Sequence, residues 1–452
     1  MKSANYSEKC KEMIAKYGDM LRASLGEVTE DFLSALSELY SLYTEDLPLW
    51  LGSMYDKEFG GFYYSASARD TEGFLPDPDS TYQALRILQY SGMTGDVGCG
   101  YGKLLPEKMK NKIIRFLKST QAENGYFYHP AMERELLDTR KTVRRSRDTQ
   151  RATAVLCELG SLPTYDTPFG VRGDGILASG EGVRIHSGVT TCEPCRAGNA
   201  RVALPFLESP EAFREYLSTL TLIDNSYSTG SHFNSQFYEL ASRDKEIREA
   251  GKNYSFVEEL ISWLTENQLD NGLWNRRADY AAVNGLMKIS GIYRNAGRVM
   301  PKSEEALISA VDAILSDEEP DAVTSVFNPW TAVYRILAAL RKGGEEEYAI
   351  ADRARAKLLG LCPEAIRKTK EKLSVFRKPD GGFSYTPRFS AHVSSGAPAA
   401  VKETAESDVN ATLLATTDTV SAVFSALELD DRAIPIYSPK DFKIFLRKTE
   451  EI

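Results

Sequence analysis

The chain is short of the residues that usually announce chemistry. It holds four histidines and six cysteines in 452 residues. Cys192 and Cys195 form one C-x-x-C, with His186 six residues upstream. A zinc site needs a second pair or well-spaced histidines, and a redox C-x-x-C sits in a βαβ setting that is missing here. No metal and no cofactor are expected, and the scattered Cys10, Cys99, Cys157 and Cys362 read as reduced thiols. H-E-x-x-H, G-x-S-x-G and a glycine-rich phosphate loop after a strand are all absent. No apolar run reaches ~18 residues, so no membrane span is expected. The opening MKSANYSEKCKEMIAKYGDML lacks the apolar core of a signal peptide, and a cytoplasmic protein is the expectation.

Positive charge is also scarce. Fifty-five Lys and Arg face 64 Asp and Glu, a net charge of -9, which argues against a nucleic-acid partner. The local cluster Arg140, Lys141, Arg144, Arg145 and Arg147 reads either as a solvated basic loop or as a seat for one small anion. Linkers are missing too: there is no Gly/Ser run, no Pro-rich tract and no long block of like charge. Length alone would suggest two or three domains at ~150 residues each. Without a linker, residues 1–452 read as one domain, with 1–45 as leading outer helices.

What is present is helical periodicity. Between Lys112 and Phe127, Ile113, Ile114, Phe116 and Leu117 share an apolar face before a break at Asn124-Gly125. Similar segments break at Gly60-Gly61, Asn271-Gly272 and Gly381-Gly382, each followed by an aromatic residue. Glycine supplies the left-handed conformation that ends a helix, and the aromatic folds back over the end. After each turn comes a second apolar helix rich in small residues, beginning near Ser80, Thr149, Asp279 and Thr417. Two more begin near Asn199 and Pro329 without the glycine turn, Pro329 standing in the first turn of its helix. Small residues let helices approach closely, which suits an inner ring; long charged helices, such as 345–376, suit an outer one. The expected fold is all-α, an (α/α)6 barrel, or toroid, of six helical hairpins.

Gln268-x-x-x-Gly272-x-Trp274, and Gln121-x-x-x-Gly125-x-Phe127 with Phe for Trp, resemble the QW repeat of terpenoid cyclases and prenyltransferase-type toroids. There the Gln holds a backbone group at a helix end and the aromatic stacks over the turn. The alternation of hairpins from about Leu49 to Leu429 also resembles six-hairpin glycosidases, polysaccharide lyases and sugar epimerases. Asp77-Pro78-Asp79-Ser80-Thr81 is similar to the D-x-D-D-T run of class II terpene cyclases, with Ser80 in place of the fourth-position Asp. That resemblance implies Asp79 as the acid of a cyclase. Such cyclases join two toroids, whereas this chain has room for one.

In a toroid the loops entering the inner helices line the cavity. The expected binding residues are therefore Tyr64, Arg69, Asp77, His129 and Arg147; Asn234, Gln236, Trp274, Arg276 and Tyr280; and Trp330, Tyr385 and Arg388. Polar groups mixed with aromatic rings fit a sugar, whose hydroxyls need partners and whose apolar face stacks. Paired carboxylates hydrolyse a glycosidic bond, and Asp79, Asp148, Asp279, Glu406 and Asp408 are the candidates. Each reads equally as a structural group, the aspartates before a helix as N-caps. The arginines favour an acidic sugar, and a uronate opens β-elimination, with His232 beside Asn234, and Tyr280 or Tyr385, as base and acid. His232 reads alternatively as a loop hydrogen-bonder, and Trp330 as core packing. The expectation is a carbohydrate-active enzyme that cleaves an oligosaccharide by hydrolysis or elimination. A cyclase-like enzyme and a non-catalytic toroid that binds a protein or ligand are the alternatives.

Overall fold

The computed structural model describes residue 18 and residues 20–177, 204–430 and 433–451, and these are mostly helical. Six helices alternate with six others along the chain. The first set is α3 (Pro78–Ser91), α5 (Thr142–Glu158), α7 (Ser226–Glu249), α9 (Tyr280–Ala296), α11 (Thr324–Leu340) and α13 (409–426). Preceding them in turn are α2 (Asp46–Ser53), α4 (Glu107–Ser119), α6 (Pro210–Thr219), α8 (Phe256–Glu266), α10 (Ser303–Leu315) and α12 (Glu345–Ser374). α1 (Thr29–Tyr40) packs on α12, and α14 (Pro439–Glu451) packs on α2. One short antiparallel pair, β1 (Val393–Ser394) and β2 (Ala397–Pro398), interrupts the helices. α3 packs on α5, α5 on α7, α7 on α9, α9 on α11, α11 on α13, and α13 returns to α3.

Local chemistry explains the boundaries. Asp77 caps α3 by accepting the Ser80 N–H, Pro78 fills the first turn, and Gly92 ends the helix with φ 89°. Asp279 caps α9 through the Ala282 N–H, and Gly297 ends it with φ 67°. Three of the four glycine turns are tied to the helix that follows. Phe62, Phe127 and Phe383 donate their backbone N–H to the hydroxyls of Thr81, Thr149 and Thr412, each at 3.0 Å. The Gln clamp is in place as well. Gln121 and Gln268 donate to the carbonyls of Gly125 and Gly272 at 3.0 and 2.9 Å, and the Trp274 indole donates to Leu264 O at 2.8 Å. Gly125 has φ 84°, and a Cβ there would stand 1.9 Å from Asp166 O, so no other residue fits.

Four boundaries differ from the sequence expectation. α5 starts at Thr142, not near Thr149, so most of the basic cluster lies on its first two turns and Asp148 is mid-helix, not a cap. The polar run before Thr149 has no apolar stripe, because its charges are satisfied by pairing: Arg144 with Asp148 and Asp77, Arg145 with Asp138, and Arg147 with Asp79. α13 starts at Val409 under an Asp408 cap, not near Thr417, and Thr417 and Asp418 lie in a π-helical turn, Leu414–Asp418, within it. Pro329 lies inside α11, one turn and a half from its start, not in the first turn. The third helix of the set is Ser226–Glu249, which turns His232, Asn234 and Gln236 from loop residues into helix residues. The start expected near Asn199, together with Cys10, His186, Cys192 and Cys195, lies outside the described residues.

Candidate functional site

The faces of the six helices α3 to α13, the β1–β2 hairpin and the loops beside them enclose a cavity of about 1130 Å³. Among the described residues its walls carry eight basic side chains: Arg86 on α3, Arg140 and Lys141 before α5, Arg147 and Arg151 on α5, Lys288 and Arg294 on α9, and Arg335 on α11. Among the described residues two carboxylates join them, Asp418 and Asp430. Six tyrosines also line it: Tyr64, Tyr82, Tyr90, Tyr227, Tyr334 and Tyr385. Several rings carry a cation on their faces, with Arg86 4.2 Å from the Tyr90 centroid, Arg151 4.1 Å from Tyr82 and Arg294 5.0 Å from Tyr334.

Part of this positive charge is anchored from behind. Arg147 Nε donates to Asp79 Oδ2 at 2.7 Å, and Arg151 Nε lies 3.5 Å from Oδ1. Burial opposes ionisation of Asp79, but Arg147, Arg144 and Arg151 outweigh it and hold the carboxyl below its ordinary range. Arg86 lies 3.5 Å from Asp418, whose carboxyl is pushed up by burial against the pull of that arginine. Arg335 donates to the Met287 carbonyl at 2.6 Å, and burial with Arg294 nearby pushes it down to about 10. Among the described residues no carboxylate lies within 4 Å of Arg294, Arg335 or Lys288. Burial, then Arg147, Arg335 and Arg151, push Lys288 down to about 7.

Of the residues expected from sequence, Tyr64, Arg147, His232, Asn234 and Tyr385 line the cavity. His232 is pushed down to about 4 by burial, and its Nε2 lies 2.9 Å from the Tyr216 hydroxyl. The five candidate carboxylates do not line it. Asp79 stands behind the arginines. Asp279 and Asp408 cap α9 and α13, and Asp408 also accepts the Tyr385 N–H at 2.9 Å. Glu406 accepts the Ser67 backbone N–H at 2.8 Å and the Ser67 hydroxyl. Asp148 and Asp77 are buried against Arg144, with His129 Nε2 4.0 Å from Asp77.

The remaining expected binders are spent on structure. Trp274 and Trp330 are fully buried, and the Trp330 indole donates to Thr369 Oγ1 at 2.8 Å. Gln236 donates to Thr142 Oγ1 at 2.9 Å, and the Tyr280 hydroxyl donates to Glu318 O at 2.8 Å. Arg69 grips Asp70 at 2.7 Å, Arg276 pairs with Asp224, and Arg388 is exposed away from the cavity.

The cations that sequence reasoning missed sit on helix faces, whereas the loops were searched. A signal existed. Arg147 and Arg151 are four apart and share a face. Lys288 and Arg335 are single cations inside otherwise apolar or small-residue runs, where a charge needs a reason.

Opposed titrations predict a measurable pH response. Burial pushes Asp408 up to about 7, and desolvation pushes His129 and His232 down to about 4. The raised carboxyl contributes stability that is complete below its unfolded pKa and is lost as pH rises towards 7. The lowered histidines do the reverse: their contribution is complete above their unfolded pKa and is lost as pH falls towards 4. D408N keeps the cap acceptor and removes the first contribution. Relative to wild type, its stability should fall towards acid by about 1.4 kcal/mol per pH unit between the two ranges. Urea denaturation at several pH values reads this directly, and parallel curves for the two proteins would refute a protonated Asp408.

Among the described residues no group of His, Cys, Asp and Glu is placed to hold a metal, and no helix is long and apolar enough to cross a membrane. Comparison of the chain with protein families, curated proteins and solved structures finds no match in any of the three.

Proposed function

We propose that the chain is a single-domain (α/α)6 toroid of six helical hairpins whose central cavity binds an acidic oligosaccharide and cleaves it by β-elimination. The toroid reading rests on the helix packing that runs from α3 through α13 and back to α3. The functional reading rests on one observation, eight basic side chains against two carboxylates, among the described residues, in a tyrosine-lined cavity of a protein with net charge -9. Guanidinium groups grip carboxylates bidentately, and tyrosine offers both a stacking face and a hydroxyl, so a uronate meets both of its needs.

Elimination is favoured over hydrolysis by what faces the cavity. Hydrolysis needs two carboxyl groups flanking the scissile bond; the five expected candidates point elsewhere, and of the two carboxylates in the wall Asp418 faces Arg86 while Asp430 is exposed and accepts from the Ser425 hydroxyl. Elimination needs a cation on the uronate carboxylate, a neutral base and a proton donor to the leaving oxygen. Arg147, Arg335, His232 and Tyr385 all line the cavity, and the proposal gives an arginine, the histidine and the tyrosine those three roles. A cyclase acid must be protonated, which the arginines around Asp79 oppose. A cytoplasmic setting belongs to the same proposal, supported by the free thiols of Cys99, Cys157 and Cys362.

Oligouronides and neutral oligosaccharides, offered in parallel, test the reading through thermal shift and through the ultraviolet absorbance of an unsaturated uronide. Acidic oligosaccharides should raise the melting temperature and yield that absorbance. A shift without product supports binding alone, the second reading, favoured because the two carboxylates in the wall already meet Arg86 and Ser425. Shifts from neutral sugars only would overturn both.

A further inference from the structure

Lys288 stands at mid-length of α9 with its side chain in the cavity wall. Glycines place it there. A Cβ on Gly285 would stand 1.8 Å from Ser226 Oγ, and one on Gly230 would stand 3.0 Å from the Lys288 Cβ. Their absent side chains let α7 and α9 approach until the lysine stem lies against the α7 backbone. Its ammonium nitrogen is 5.7 Å from the Tyr227 centroid. The other charged neighbours are positive: Arg147 and Arg151 from α5, and Arg335 from α11. His232 of α7 also lines this cavity, held neutral by burial. The nearest acids are already engaged, Asp79 behind Arg147 and Arg151, and Asp418 beside Arg86.

A lysine with no counter-ion among the described residues, in a ring of guanidinium groups, is poorly placed to serve as another anion clamp. Its proton is the one that leaves most easily. An amine that is neutral at physiological pH carries a free lone pair, and such lysines act as nucleophiles toward carbonyl carbon.

We propose that Lys288 is a nucleophilic amine, and that the cavity captures an anionic aldehyde or ketone as an imine on Lys288 Nζ while the surrounding arginines hold its phosphate or carboxylate. This rests on the anion-binding reading of the cavity, though not on cleavage of an oligosaccharide. The lone pair of Nζ attacks the carbonyl carbon to give a carbinolamine. The carbonyl oxygen then departs as water with the two amine protons, leaving a C=N bond, and nothing is oxidised or reduced. An acidic sugar with an open-chain reducing end falls within this class.

Pyridoxal 5′-phosphate supplies an aldehyde and an anion in one probe, and borohydride makes its imine permanent. At neutral pH the free-amine fraction of Lys288, pushed down to about 7, exceeds that of an ordinary lysine by about a thousandfold. After proteolysis and mass spectrometry, the peptide bearing Lys288 should therefore carry the label, about a hundredfold above Lys245 and Lys402, whose side chains are 73% and 72% exposed. Labelling should be half-maximal near pH 7 and suppressed by sulfate. K288R and K288M should lose it, with circular dichroism confirming that both fold.

Formaldehyde, which carries no anion, forms the second arm and separates the two ideas. If it labels Lys288 selectively while the phosphate probe does not, the amine stands and the anion-binding reading falls. If the phosphate probe binds in a sulfate-sensitive way but Lys288 stays unlabelled by both aldehydes, the nucleophile is refuted and anion binding stands. Equal labelling across exposed lysines with either probe overturns the proposal.

Discussion

Replacing Arg144 by Met should lower stability by about 3–5 kcal/mol, because it strands two buried carboxylates. Arg144 is 2% exposed. Its Nε donates to both Asp148 oxygens at 3.0 Å, Nη2 donates to Asp77 Oδ1 at 2.5 Å, and Nη1 donates to Ser394 O at 3.0 Å. One side chain thus joins α5, the cap of α3 and the β1–β2 hairpin that helps enclose the cavity. Burial already pushes Asp148 up to about 7 in spite of Arg144. Without the guanidinium, neither acid has a cation to offset its desolvation, and both must be protonated or exposed. A loss of that size is a large share of the ~5–15 kcal/mol that holds a typical domain together. Urea denaturation should show a markedly lower midpoint for R144M, and R144K should fall between, since one ammonium cannot match the planar guanidinium's four acceptors on three residues. Removing the acids as well, in R144M/D148L/D77N, should recover most of the loss. Neither stranded carboxylate is then left, Asp79 keeps Arg147 and Arg151, and the amide oxygen that D77N introduces still accepts the capping bond of α3. An R144M midpoint close to wild type would show that the network is not a support of the fold.

The same network explains what the sequence could disclose. Helix ends and turn clamps are written locally: a Gly with positive φ, a Gln four residues ahead of it, a Thr hydroxyl on the helix that follows. Those signals repeat, and they led to the right segments. The start of α5 was hidden, because Thr142 to Asp148 has no apolar face, and periodicity finds only helices that bury hydrocarbon. Arg144 and Asp148 are buried by pairing with partners at Asp77 and Ser394, far away in the chain. The candidate carboxylates were found where caps occur, and Asp279 and Asp408 are caps. The cavity escaped for a different reason. Arg140, Lys141 and Arg147 belong to the basic cluster visible in the sequence, but the other five basic residues come from four helices spread between positions 86 and 335, so no contiguous motif contains the whole set. Looking at loops, as a toroid invites, missed side chains that project from the helix faces themselves.

Neutralising Arg294 and Arg335 together should weaken anion binding by about two to four decades, since a hydrogen bond to a charged group contributes about 1.5–3 kcal/mol. These two are the informative pair. Arg147 and Arg151 hold the buried Asp79, so removing either mixes lost affinity with a stranded carboxylate. Arg294 and Arg335 meet no carboxylate within 4 Å among the described residues; Arg294 lies over Tyr334 and Arg335 donates to the Met287 carbonyl. Taking away their charge removes mutual repulsion on one wall, so R294Q/R335Q should be at least as stable as wild type without ligand. Wild type, by contrast, should gain stability from sulfate or an oligouronide by mass action, about 2.7 kcal/mol at a hundred times Kd. The double variant should lose most of that gain, and raising salt should erode the wild-type gain more steeply than the variant's, because screening acts on charge alone. If both proteins respond equally to every anion offered, the charge on this wall is not a ligand site, and the excess of cations in the cavity has to be assigned to the fold.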